Sequence, residues 1–112
     1  MKKIIILIPV YNDWESLKKL FLEIDENLKK IENIKVDCIV INDASTLDKP
    51  ELKKPNSINT LKILNMKHNR GHARCNAFGI RYISHHEEFD HLILMDGDGE
   101  DRPVELASLI SK

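Results

Sequence analysis

The stretch Lys3-Ile4-Ile5-Ile6-Leu7-Ile8-Pro9-Val10-Tyr11-Asn12-Asp13 decides the fold. From Ile4 to Val10 it is apolar and rich in β-branched residues, and it stops at a polar cluster. A strand with one face in water would alternate apolar and polar residues. This one does not, so both of its faces must be covered, as in a parallel sheet. Val36 to Ile41 is a second such run, ending in Asn42-Asp43-Ala44-Ser45. Between the two runs, Asn12 and Glu15 have the spacing of a capping box. Trp14, Leu17, Leu20, Phe21, Ile24, Leu28 and Ile31 then recur every three or four residues, which makes one apolar face of a helix. A strand, a helix and a strand in that order imply a parallel pair joined by a right-handed crossover.

The rest of the chain repeats the alternation. The polar stretch 43–59, with Pro50 and Pro55, reads as a loop, and Thr60 to Met66 as a third strand. Gly71 precedes a helix over His72 to His86, for which the spacing predicts Ala73, Ala77, Ile80 and Ile83 facing inward. His91 to Met95 is a fourth strand. Pro103 suits the first turn of a last helix, Val104 to Ser111. The fold class is therefore α/β: a Rossmann-like, mostly parallel sheet flanked by helices. In such sheets ligands bind beyond the carboxyl ends of the strands. Tyr11-Asn12-Asp13, Asn42 to Ser45 and the acidic run Asp96 to Asp101 all fall at such ends and converge on one rim.

A chain of 112 residues suits one domain, residues 1–112. Its net charge of -1 gives no general attraction to nucleic acid or to an anionic membrane, so any phosphate site must be local. Cys38 and Cys75 sit far apart in apolar surroundings and read as buried thiols of a reducing, cytoplasmic compartment. The apolar run near the N-terminus lacks the length and the cleavage site of a signal peptide. No stretch approaches the roughly 20 apolar residues of a membrane span.

Asp96, Asp98, Glu100 and Asp101 set four carboxylates within six residues, and Gly97 and Gly99 let the backbone turn tightly. Carboxylates so crowded resist joint ionisation unless a cation joins them. A hard divalent ion, Mg2+ or Mn2+, is the natural partner. The plainer reading is a solvated turn with Asp101 as N-cap of the last helix. An EF-hand is excluded, because Asp101 and Ala107 stand where it needs glycine and glutamate. Asp43 can accept from a nucleobase or ribose, or it is a turn residue. Tyr11 can stack a base, or simply pack at a strand end. Arg74, one turn into a helix whose N-terminus favours anions, can reach a diphosphate or stand on the surface. His68 and His72 are four apart, but Gly71 starts a helix between them and argues against a zinc pair.

Pro9-Val10-Tyr11-Asn12-Asp13, Ile41 to Ser45, Asn69-Arg70-Gly71 with Arg74 and Asn76, and Asp96 to Pro103 together resemble the ordered motifs of family 2 glycosyltransferases. The last motif resembles the branch that includes dolichyl-phosphate mannose synthase. The resemblance covers nearly the whole chain and implies a GT-A fold that binds a nucleotide-diphosphate sugar with a divalent cation. It implies that Pro9, Tyr11, Asp13, Ile41 and Asp43 line the nucleotide pocket and that Arg74, Asp96, Gly97 and Asp98 lie along the donor. Asp96, Asp98 and Glu100 would hold the metal. The implied acceptor is a polysaccharide, glycolipid or polyprenyl phosphate, the last at the inner face of a membrane. Three positions depart from the commoner motif, which has glutamate at Asp13, aspartate at Asn42 and glycine at Ala44. The family's acceptor half, with its catalytic base, normally follows the last motif. No base is assigned to this chain, and a donor-binding module without transfer activity is the alternative. A sheet lacking that half would expose apolar surface, so a homo-oligomer is a further expectation.

Overall fold

The computed structural model describes residues 1–96. Within it the elements are β1 (Lys2–Val10), α1 (Trp14–Leu28), β2 (Ile34–Asn42), β3 (Thr60–Asn65), α2 (His72–His86) and β4 (His91–Leu94). The strands form one sheet in the order β3-β2-β1-β4, and every neighbouring pair is parallel. The α/β, Rossmann-like arrangement expected from the sequence is therefore present. The last motif beyond Asp96 and the helix expected over Val104 to Ser111 lie outside the described residues.

The continuous apolar runs are explained by the two layers. Ile4, Ile6, Ile8 and Val10 of β1, with Val36, Cys38 and Val40 of β2, pack with Trp14, Leu17, Leu20, Phe21, Ile24 and Leu28 of α1. The alternate residues Ile5, Leu7, Ile39 and Ile41 pack on the opposite side with Cys75 and Ile83 of α2. Burying each large aliphatic side chain in these layers contributes about 1.5–3 kcal/mol. β3, at the edge, is only half-buried: Leu61 and Ile63 turn to the α1 layer, Leu64 and Met66 to the other.

Two local expectations are corrected. Asn12 does not cap α1. The helix starts after Asp13, which makes no side-chain cap bond, and the Asn12 side chain turns instead to the loop after β2. On α2, Ala73, Ala77 and Ile80 are exposed, and the inward face is Cys75, Gly79 and Ile83. The cause is close approach. A Cβ on Gly79 would lie 2.7 Å from both δ-methyls of Leu7, so α2 rests on β1 through its glycine and its alanines face outward. At the opposite end from the strand exits, Lys3 pairs with Asp37 at 3.5 Å and with Glu87 at 3.4 Å, and Lys62 pairs with Glu87 at 2.9 Å. These pairs tie three strands to the end of α2.

Candidate functional site at the strand exits

All four strands being parallel, their carboxyl ends share one rim. Backbone bonds brace it: Asp43 N–H donates to the Val10 carbonyl at 2.8 Å, Met66 N–H to Asn42 at 2.8 Å and Met95 N–H to Leu7 at 3.0 Å. Side chains then join the loops. Asn12 N–H donates to Ser45 Oγ and Asn12 Nδ2 to Thr46 Oγ1, each at 2.9 Å, while Leu47 N–H donates to Asn12 Oδ1 at 2.9 Å. Asn42 Nδ2 donates to Asn65 Oδ1 at 3.0 Å, and its Oδ1 accepts from Ser45 N–H at 3.1 Å. Asn12 and Ala44 both have positive φ, 60° and 58°, uncommon for residues other than glycine, and these crossed bonds hold the backbone there.

Asp43 is the centre of this bracing. Only 1% exposed, its carboxylate accepts from Arg70 N–H at 2.7 Å and from Gly71 N–H at 2.8 Å. Asn69 Nδ2 reaches the Asp43 carbonyl at 3.4 Å. The sequence left Asp43 between a ligand acceptor and a turn residue; the structure gives its oxygens a first duty in holding the entry of α2. Cys75 lies against it. Burial, then the hydrogen bond and charge of Asp43, push the Cys75 thiol up to about 12. Burial pushes Cys38 to about 12 as well. Both thiols are free and buried, as the sequence suggested.

The remaining residues expected at the site divide into wall and rim. Pro9 and Ile41 are buried and shape the floor beneath the loops. Tyr11, 39% exposed, and the exposed Asp13 and Arg74 stand at the surface. Asp96 follows β4, with its Oδ1 3.6 Å from Nδ1 of His72, the first residue of α2. Thus Asp43, the entry of α2 and Asp96 come together, and Asn12 brings the Tyr11–Asp13 turn alongside the loop after Asn42. Gly97, Asp98 and Glu100 lie outside the described residues. His68 falls before α2, so it forms no helical pair with His72. The sequence reading missed two things: the bracing by Asn12 and Ser45, and His72 at the rim. A histidine directly after a glycine that opens a helix was the available signal for the second.

A cleft of about 450 Å³ elsewhere, between α1 and the 51–56 loop, is lined by Phe21, Leu22, Leu52 and Pro55. Two of its charged groups are engaged, Asp25 with Ser57 and Lys29, and Lys54 with the Ile58 carbonyl. It is remote from the strand exits and brings no reactive set together.

The model of glycosyl transferase family 2 matches residues 5–112. The chain belongs to that family. As a family 2 glycosyltransferase domain, it is also 28% identical over 112 residues to an uncharacterized protein of Methanocaldococcus jannaschii, covering 96% of this chain and 45% of that protein. The chain thus spans about half the length of the curated relative it matches. The parallel sheet between helices agrees with the GT-A fold of the family 2 enzymes. Among the described residues no helix is long and apolar enough to cross a membrane. None of their His, Cys, Asp and Glu side chains form a group of three placed to hold a metal ion. The donors present, a carboxylate on Asp96 and an imidazole on His72, are nevertheless of the types that bind divalent ions.

Proposed function

We propose that the protein binds a nucleotide-diphosphate sugar across the strand-exit rim, with a divalent cation, Mg2+ or Mn2+, and transfers the sugar to a glycan or lipid-linked acceptor. Family membership over residues 5–112 carries this reading, and the braced rim supports it. In it Tyr11 offers its exposed ring to the base, over a floor formed by Pro9 and Ile41. Asp13 serves the ribose side of the pocket. Asp43 fixes the Asn69–Gly71 turn so that the amides opening α2, and Arg74 one turn on, meet the diphosphate. Asp96, Asp98 and Glu100 would hold the cation, with Gly97 allowing close approach. When bound, that ion supplies Lewis-acid neutralisation of the charge that grows on the departing nucleoside diphosphate.

Residues 1–112 are the donor-binding part in this reading, and no general base is assigned among them. A polyprenyl phosphate acceptor, and with it a place at the cytoplasmic face of a membrane, belongs to the same proposal. Calorimetry with UDP and with GDP, each with and without Mn2+, tests it. Metal-dependent binding of one nucleotide, lost in Asp98→Ala, is expected. If neither nucleotide binds under either condition, the reading is wrong. Binding without transfer to any glycan or lipid phosphate would instead identify a donor-binding module.

A further inference from the structure

Two metal-binding side chains meet at the rim from elements far apart in sequence. His72 Nδ1 and Asp96 Oδ1 lie 3.6 Å apart, one on the first residue of α2 and the other just past β4. That distance is too long for a hydrogen bond. It is close to the separation of two ligands of one ion: bonds of about 2.1 Å place donors roughly 3.0 Å apart at a right angle and roughly 3.4 Å apart at the tetrahedral angle. Small side-chain rotations would close the difference.

Both backbones are anchored. His72 follows Gly71, whose N–H is held by Asp43 and whose carbonyl accepts from Cys75 N–H at 3.0 Å. Asp96 follows Met95, whose N–H is held by Leu7. Both side chains are near 40% exposed, so a hydrated ion can reach them.

We infer that His72 is a nitrogen ligand of the cation at this site, completing with Asp96 a mixed imidazole–carboxylate set. The inference rests on the reading that Asp96 bears the cation. An all-oxygen site suits Mg2+, whereas an imidazole shifts preference toward later transition ions such as Co2+ and Zn2+. The dipole of α2 opposes a cation at its N-terminus, typically by about two- to fivefold in affinity at an exposed site. A lost ligand costs more, since even outer partners of metal ligands are worth about 10–100-fold. The same dipole favours the diphosphate that would accompany the ion.

The test uses Mn2+ as probe, alone and with UDP or GDP, and reads electron spin-echo modulation from directly bound 14N. The wild-type complex should show the nitrogen coupling. His72→Ala should lose it and bind Mn2+ at least about tenfold more weakly, with a smaller preference for Co2+ over Mg2+. His72→Gln, which keeps a side chain of similar length at the helix start, should behave alike, and circular dichroism checks that both fold. Bound Mn2+ without nitrogen coupling, or with coupling that survives in both variants, overturns the role of His72 and leaves the donor-site reading standing. Failure of the wild type to take up Mn2+ under any of these conditions overturns both.

Discussion

The contact of Gly79 with Leu7 makes the most demanding prediction about how the sheet positions the rim. A Cβ at Gly79 would lie 2.7 Å from Leu7 Cδ1 and Cδ2 and 3.2 Å from Cγ, and Leu7 is wholly buried. Its δ-methyls have little space to retreat into, because Ile5, Ile39 and Ile41 fill the same layer. Overpacking of this kind costs about 1–3 kcal/mol. Against it stands the higher helix propensity of alanine, about 1 kcal/mol. Gly79→Ala should therefore destabilise by about 1 kcal/mol, read from the urea midpoint by fluorescence of Trp14, the only tryptophan. Leu7→Ala alone leaves a cavity and should cost about 2–5 kcal/mol. In the double variant the new methyl enters the space the leucine vacated, so the combined loss should be smaller than the sum of the two. A Gly79→Ala protein as stable as the wild type, or strictly additive losses, would refute the idea that this glycine sets the depth of α2. Nucleotide binding is a second readout, because a displaced α2 shifts Gly71, His72 and Arg74 relative to the sheet.

Gly71 has φ 86° and ψ 157°, a region that essentially only glycine occupies, with open space around a built Cβ, so Gly71→Ala should lose about 1–3 kcal/mol through backbone strain alone. Ala44→Gly, at φ 58°, should be neutral or slightly stabilising in the same urea experiment, since relief of strain offsets the added chain entropy. Ser57 lowers Asp25, Lys62 lowers Glu87, and at Asp37 burial pulls upward but is outweighed by bonds from Thr60 and Asn59 and by Lys3. Folded values below the ordinary 3.8–4.5 give stability that is fully present above about pH 4.5 and lost as pH falls through the lowered values; Glu87→Gln should flatten that acid limb in urea titrations. With both thiols pushed up to about 12, neither Cys38 nor Cys75 should react with a disulfide reagent at pH 8 until the protein is unfolded in denaturant.

Much of the fold was legible because two strands carry unbroken apolar runs, a pattern that parallel sheets require. The α1 face was legible too, since one helix against a broad apolar sheet obeys simple periodicity: all six of its buried residues were expected. α2 was misread because periodicity counts side chains and glycine has none. The residue that comes closest to β1 is the one such counting ignores. Asn12 was misread for a related reason. Its spacing from Glu15 fits a capping box, yet the loop at Ser45 to Leu47 competes for the same polar atoms, and that loop is 33 residues or more away in sequence. At the site, the sequence placed the clusters on one rim but could not say which polar atoms are already spent.

That distinction matters for Asp43. A buried carboxylate accepting two backbone N–H groups gains about 1.5–3 kcal/mol per charged hydrogen bond. This is enough to hold the backbone strain at Ala44, about 1–2 kcal/mol, whereas Gly71 adopts its φ of 86° without that cost. The three residues form one mechanical unit: Ala44 turns the chain out of β2, Asp43 grips the amides of the next strand–helix turn, and Gly71 leads that turn into α2. If strain near the rim is held in this way, ligand affinity should depend on Asp43 even where it does not touch the ligand. A contact role predicts loss of binding with the α2 entry intact. The bracing role predicts that the amides of Arg70 and Gly71 exchange with solvent faster once Asp43 is replaced by asparagine, with no nucleotide present. Hydrogen exchange on the unliganded protein therefore separates the two roles, and the geometry at 2.7 and 2.8 Å favours the second.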